Sequence, residues 1–250
     1  MTSHSDRFRE LHQRGLFVMP NPWDVGTAKL LKARGFPALA TTSWGLAFSL
    51  GRADYQVTRN ELVAHTAQIV NAVDVPINVD GERLFPNDEG GIAATVRLLA
   101  EAGAAGCSIE DSNPGAGTID PIDRATEAVA IAAEAAKETG LVLTARAENQ
   151  WYGVTDLDDT IARLQAYVAA GAEVSYAPGL TDRSEIARVV NEVRAPVNVL
   201  SRSNGPSVAE LASLGVRRVS TGGGLCRIAI GAVEEAIDDL LDGSPAVLRR

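Results

Sequence analysis

Eight times along this chain a short apolar run breaks off into polar residues and gives way to a stretch of helical period, and few folds accept that rhythm. The runs are residues 16–19, 38–41, 77–79, 106–109, 141–145, 174–176, 197–200 and 218–221, with amphipathic stretches such as 89–101, 121–137 and 156–170 between them. A glycine stands where most of these helices should stop: Gly35, Gly103, Gly140, Gly171 and Gly215. Parallel neighbouring strands require a crossover of a dozen residues or more, which a helix supplies. Eight such units in 250 residues predict an α/β fold of the (β/α)8 TIM barrel type, one domain over 1–250. A doubly wound sheet fits less well. It opens with a Gly-x-Gly-x-x-Gly turn after its first strand, where this chain has Asn21-Pro22-Trp23-Asp24.

Hydrophobic residues make up 46% of the chain and aromatics only 5%, so Ala, Val, Leu and Ile must build the core. A net charge of −9 argues against a nucleic-acid surface. No apolar run approaches the eighteen or so residues of a membrane span, and the start of the chain, Met1-Thr2-Ser3-His4-Ser5-Asp6-Arg7, lacks the apolar centre of a signal peptide. A cytoplasmic protein is expected. Cys107 and Cys226, far apart and in apolar surroundings, read as two reduced, buried thiols.

In a barrel of this kind the chemistry sits at the C-terminal ends of the strands. The residues at the exits are Asn21 and Asp24; Thr42, Ser43 and Gly45; Asp80 and Glu82; Glu110 and Asp111; Arg146 and Glu148; Asn198 and Ser201; Thr221 and Gly222. No histidine is among them, since His4, His12 and His65 fall elsewhere, and no lysine either. Ser-His-Asp, Cys-His, multi-imidazole zinc and Schiff-base chemistries are therefore disfavoured. Asp80, Glu82 and Glu110 close two neighbouring strands, and three carboxylates gathered there repel one another unless a cation holds them. Oxygen ligands select a hard divalent ion, Mg²⁺ first and Mn²⁺ second. Arg146 offers a planar fork for a substrate carboxylate. The plainer readings stay open: Asp80 as a cap, Arg146 as an ion pair to Glu110 or Glu148, Asp54 as a solvated loop acid, Trp44 as pocket wall. Ser43 either caps the next loop or, in its Ser-Trp-Gly setting, offers backbone N–H groups to an oxyanion.

The order and spacing of Pro20-Asn21-Pro22-Trp23-Asp24, Ala40-Thr41-Thr42-Ser43-Trp44-Gly45 with Asp54, Pro76-Ile77-Asn78-Val79-Asp80-Gly81-Glu82, Ile109-Glu110-Asp111 and Ala145-Arg146 resemble the isocitrate lyase/phosphoenolpyruvate mutase superfamily over nearly the whole chain. The resemblance implies a barrel that assembles as a homo-oligomer, dimer or tetramer, with a C-terminal helix exchanged between neighbours. It also implies an Mg²⁺-dependent site that makes or breaks C–C or C–P bonds beside a 2-oxo acid. On that resemblance Asp80 binds the metal directly, and Glu82 and Glu110 act largely through metal-bound water. Arg146 takes the substrate carboxylate, Ser43, Trp44 and Gly45 bind the pyruvyl group, and Asp54 is the loop acid near the substrate. Asn198 joins the substrate-binding set from the seventh exit. Family lyases carry a Lys-Lys-Cys-Gly-His type loop after the fourth strand, with its Cys as acid/base; here residues 113–120 form a Gly-rich lid, and Thr118 stands where mutases place an Asn. Arg83-Leu84-Phe85 replaces the Gly-Gly-Tyr-Gly of many relatives. The expected activity is C–C cleavage next to the carbonyl of a small 2-oxo acid or 2-hydroxy dicarboxylate. C–P hydrolysis or mutation of phosphonopyruvate, and a catalytically silent ligand-binding barrel, are the alternatives.

Overall fold

Short runs buried on both faces fold into strands whose two faces serve different purposes. The computed structural model describes residues 3–243. Eight parallel strands, β1 (Phe17–Met19), β2 (Leu39–Ala40), β3 (Ile77–Asp80), β4 (Gly106–Glu110), β7 (Val142–Arg146), β8 (Val174–Tyr176), β9 (Val197–Leu200) and β10 (Arg218–Ser220), pair in the order β1-β10-β9-β8-β7-β4-β3-β2. The Ala40 N–H donates to Pro20 O at 3.1 Å across the remaining seam. Asn21 clips the same seam, its Nδ2 donating to Thr41 O at 2.7 Å while its Oδ1 accepts from the N–H groups of Thr221 and Gly222, each at 2.9 Å. The barrel is thus nearly closed, as the eightfold rhythm predicts.

Outward positions such as Val79, Cys107, Ile109, Leu143, Val199 and Val219 join the main core beneath the helices. These helices are α2 (Val25–Ala33), α4 (Arg59–Ala72), α5 (Gly91–Glu101), α6 (Ile122–Thr139), α7 (Leu157–Ala169), α8 (Arg183–Glu192), α9 (Val208–Ser213) and α10 (Gly224–Leu241). The five glycines predicted as helix stops all carry left-handed φ. Inward positions are polar for most of the barrel's height: Asn78, Ser108, Thr144, Asn198, Arg218 and Ser220 are all buried. Gly106 faces inward where nothing larger fits, since an added Cβ would lie 2.6 Å from Val142 O and 2.9 Å from the Phe8 ring.

Besides a single 3-10 turn at Asn149–Tyr152, three elements go beyond eight strand–helix units. α1 (His4–Leu11), held by a Ser3–Asp6 capping box, drops Phe8 against Phe17, Val142 and Val174 and stoppers the N-terminal end of the barrel. α3 (Ser43–Ser49) starts at the second strand exit, which the sequence reads as loop. The expected lid, residues 113–120, is mostly a small antiparallel hairpin of β5 (Ser112–Asn113) and β6 (Thr118–Ile119). Both cysteines are buried and free. No helix among the described residues is long and apolar enough to cross a membrane.

Candidate active site

The C-terminal mouth of the barrel opens on a cavity of about 390 Å³ that runs from Trp44, Asp54, Asp80 and Arg146 at the rim down to Met19, Asn78 and Arg218. At its centre Arg146, from the end of β7, meets three carboxylates with three different nitrogens. Nη1 donates to Asp80 Oδ1 at 2.7 Å, Nη2 reaches Glu110 Oε2 at 3.1 Å and Nε donates to Glu148 Oε1 at 2.7 Å. The register Glu110↔Arg146↔Tyr176 explains the convergence, because it sets these exits side by side. The Tyr176 ring lies 5.3 Å from the guanidinium carbon. Two of the five N–H groups of the guanidinium are spent in hydrogen bonds to Asp80 and Glu148, while Glu110 is held as an ion pair.

The acids are held from behind. Asp80 Oδ2 accepts from the Ser43 N–H at 3.0 Å, so the backbone group read as an oxyanion donor is already taken. Glu110 Oε1 accepts from the Tyr55 hydroxyl at 2.5 Å and from Ser112 Oγ at 2.7 Å. The Glu148 N–H donates to Asp111 Oδ1 at 2.8 Å, and Asp111 Oδ2 in turn accepts from Tyr167 and Arg163. Glu82 is the exception. It is buried at φ 48°, in a turn where Leu84 and Phe85 also have positive φ, and its Oε1 has no partner. Such backbone strain costs of order 1–3 kcal/mol per residue and is found where a side chain must be aimed.

Electrostatics follow from this crowding. Burial, then the charges of Asp80, Glu110 and Asp54, push the Glu82 carboxyl up to about 8. Burial, then Asp80 and Glu110, push Asp54 up to about 6, and its Oδ1 is also sealed without a partner. For Glu148, burial pushes up, Arg146 pulls down and Glu110 pushes up again, with a net rise. Burial works against the charge of Arg146, but Glu148, Glu110 and Asp80 overcome it and hold its pKa well above the ordinary value. Among the described residues, no three acid, histidine or cysteine side chains stand close enough to ligate one ion together.

Of the residues singled out from sequence, Ser43, Trp44, Asp54, Asp80, Arg146 and Asn198 line the cavity. Glu82 and Glu110 are buried outside that lining. Gly45 is packed instead beneath Trp23 and Thr42, each 2.7 Å from where a Cβ would sit. Thr118 is exposed on the hairpin and does not reach the cavity. Asp24 caps α2 through Thr27. The sequence reading passed over Tyr55, Trp151, Tyr152, Arg218, Ser220 and Arg227, which also line the cavity. Arg218 and Ser220 had a signal, being polar residues two apart in a short strand, both on one face. Arg227 had none; its guanidinium stacks 3.7 Å over the Trp44 ring.

Fold and cluster together define a (β/α)8 barrel with an acid- and arginine-lined cavity at its C-terminal mouth. The family model of phosphoenolpyruvate phosphomutase matches residues 8–241. The chain belongs to that family, within the isocitrate lyase/phosphoenolpyruvate mutase superfamily. It is similar to the crystal structure of a candidate lyase/mutase from Burkholderia cenocepacia J2315, at 49% identity and a TM-score of 0.91, over 96% of this chain and 89% of that one. An uncharacterized protein of Mycobacterium tuberculosis (strain ATCC 25618 / H37Rv) is 36% identical over 218 residues, 86% of this chain and 81% of that protein. A 2-methylisocitrate lyase of Aeropyrum pernix is 32% identical over 199 residues, 76% of this chain and 63% of that protein.

Proposed function

We propose that the protein is a divalent-metal-dependent lyase that cleaves a C–C bond next to the carbonyl of a small 2-oxo acid or 2-hydroxy dicarboxylate. The observation that carries this reading is the convergence of Asp80, Glu110 and Glu148 on Arg146 at the cavity, with Glu82 buried beside them and its Oε1 lacking a donor. That donor set fits a hard divalent ion, because it is all oxygen, rich in negative charge and contains an orphaned carboxylate oxygen. Asp80 would hold the ion directly, with Glu82 and Glu110 reaching it through water. Mg²⁺ is the expected ion and Mn²⁺ the alternative. When bound, it supplies the positive charge that polarises a substrate carbonyl.

The chain's own residues do the rest. The Arg146 N–H groups not bonded to Asp80 or Glu148 orient the substrate carboxylate, and Trp44 and Tyr176 wall the cavity around it. Asp54, whose carboxyl titrates near 6 and which faces the cavity, is poised to take the proton from a 2-hydroxyl or return one to the enolate carbon. Relatives named for C–C cleavage, the 2-methylisocitrate lyase and a 27% identical oxaloacetate decarboxylase of Paraburkholderia xenovorans, support the reaction class. The match to the phosphomutase model supports C–P chemistry as the second reading. A screen of 2-oxo and 2-hydroxy diacids for pyruvate release, with and without Mg²⁺, tests the first. Phosphate release from phosphonopyruvate tests the second. No turnover and no Mg²⁺ uptake in the presence of oxalate would leave a silent ligand-binding barrel.

We further propose a cytoplasmic homo-oligomer. α10 exposes Ile228, Val233, Ile237, Leu240 and Leu241, an apolar density that water tolerates poorly on a lone helix. Exchange of this helix between subunits would cover it.

A further inference from the structure

The floor of the cavity holds a charge that the proposed chemistry does not use. Arg218 is only 1% exposed, and among the described residues no carboxylate lies within ion-pair distance of it. Its hydrogen-bond partners are all neutral: Nε donates to Asn198 Oδ1 at 3.0 Å, Nη1 to His12 Nε2 at 3.3 Å and Nη2 to Thr144 Oγ1 at 3.1 Å. The Phe8 ring lies 5.9 Å away. His12 cannot be a competing cation. Its Nδ1 faces Phe8 O at 2.8 Å and so carries the hydrogen, which leaves Nε2 as a lone-pair acceptor. Burial and the charge of Arg218 hold its imidazole down to about 3.

A guanidinium can only donate, and that fixes the direction of every bond leading away from it. Asn198 must turn its oxygen to Arg218. Its Nδ2 then donates to Ser220 Oγ at 2.9 Å. Ser220 Oγ has thereby accepted, and among the described residues it donates to no carbonyl or carboxylate. Its hydrogen is left for the cavity side, where the Tyr176 hydroxyl oxygen, also in the lining, is the acceptor that a bound carboxylate would have to replace. Asn198, expected from sequence to touch the substrate, is 1% exposed and has both ends of its amide engaged in this chain.

We propose that Arg218 and Asn198 are positioning residues that lock the Ser220 hydroxyl as a hydrogen-bond donor to a carboxylate oxygen of the bound ligand. The inference rests on the reading that the cavity takes a small carboxylate. It adds a second, metal-independent donor to the anion, relayed from a buried cation that has no acid of its own. Burying a charge without a counter-ion is expensive, and an anion in the cavity offsets part of that cost.

Calorimetric titration of oxalate with Mg²⁺ present tests the relay on wild type, Asn198→Asp, Ser220→Ala and the double variant. In N198D the carboxylate gives Arg218 a counter-ion and turns an acceptor towards Ser220, whose hydrogen swings away from the ligand. The thermal midpoint should hold or rise while oxalate binds about tenfold more weakly, S220A should lose a similar factor, and the double variant should lose no more than either. Wild-type affinity in a folded N198D protein, or losses that multiply in the double variant as simple charge repulsion would make them, overturns the relay. Wild-type protein that takes up no oxalate overturns the reading of the cavity itself, and the relay with it.

Discussion

Arg146 and the three acids around it act as one unit, because each of its nitrogens is committed to a different partner. Arg146→Lys keeps the charge but not the fork, and one ammonium cannot satisfy Asp80, Glu110 and Glu148 while also turning donors to a ligand. A fall of about 100-fold or more in kcat/KM for whichever substrate the diacid screen identifies is expected, measured by steady-state kinetics. Glu82 governs a second measurable property. Below about pH 4.5 its carboxyl is protonated folded or unfolded, and above about 8 it is ionised in both states. In between, the folded protein keeps a proton that the unfolded chain has released, so stability falls as pH rises through this window. Thermal melts of metal-free protein should therefore fall from pH 4.5 to 8, Glu82→Gln should flatten the decline, and Mg²⁺ should oppose it. A slope unchanged in E82Q would mean that other groups set the pH dependence.

At the scale of elements, strand exits and helix caps serve different masters. Asp24 follows the first strand yet spends its carboxylate on the Thr27 N–H at 2.7 Å, as the N-cap of α2. Asp24→Ala should lower stability by about 1 kcal/mol in urea unfolding and leave oxalate binding unchanged. The hairpin after β4 is similarly tied. Arg83 pairs with Asp120, Asn113 Nδ2 donates to Asp120 Oδ1 at 2.9 Å, and Arg163 donates to Asp120 O at 2.8 Å. The turn Arg83-Leu84-Phe85 thus anchors the hairpin with its arginine and fills the core with Leu84. Arg83→Ala should speed amide exchange across residues 112–119 by an order of magnitude or more, read by mass spectrometry, while the barrel strands exchange as before. Equal exchange in both proteins would show the hairpin held by its other bonds alone.

At the scale of the whole molecule, α10 carries more exposed large hydrophobic residues than any other element among the described residues. Sedimentation should show an oligomer, and Ile237→Glu with Leu240→Glu should shift it towards the monomer without loss of helical content. A wild-type monomer would remove the exchanged helix from the picture. Much of the molecule was legible from the chain alone. The eightfold alternation determined the barrel, since period, caps and glycine stops are local properties that act within a few residues. Asp80 and Arg146 were legible because each stands directly at a strand exit. α1, α3 and the hairpin escaped because they are short, and packing rather than period holds them. Thr118 was misplaced because Gly115 and Gly117 leave that loop without a register. The inward face of β10 escaped too, since Arg218 and Ser220 lie within the strand rather than past its exit, where the chemistry of a barrel is sought first. What only the tertiary structure decided is which charge meets which. Arg146 and Asp80 are 66 residues apart, Arg218 and His12 are 206 apart, and pairings across such distances depend on strand order and stagger, which no local pattern encodes.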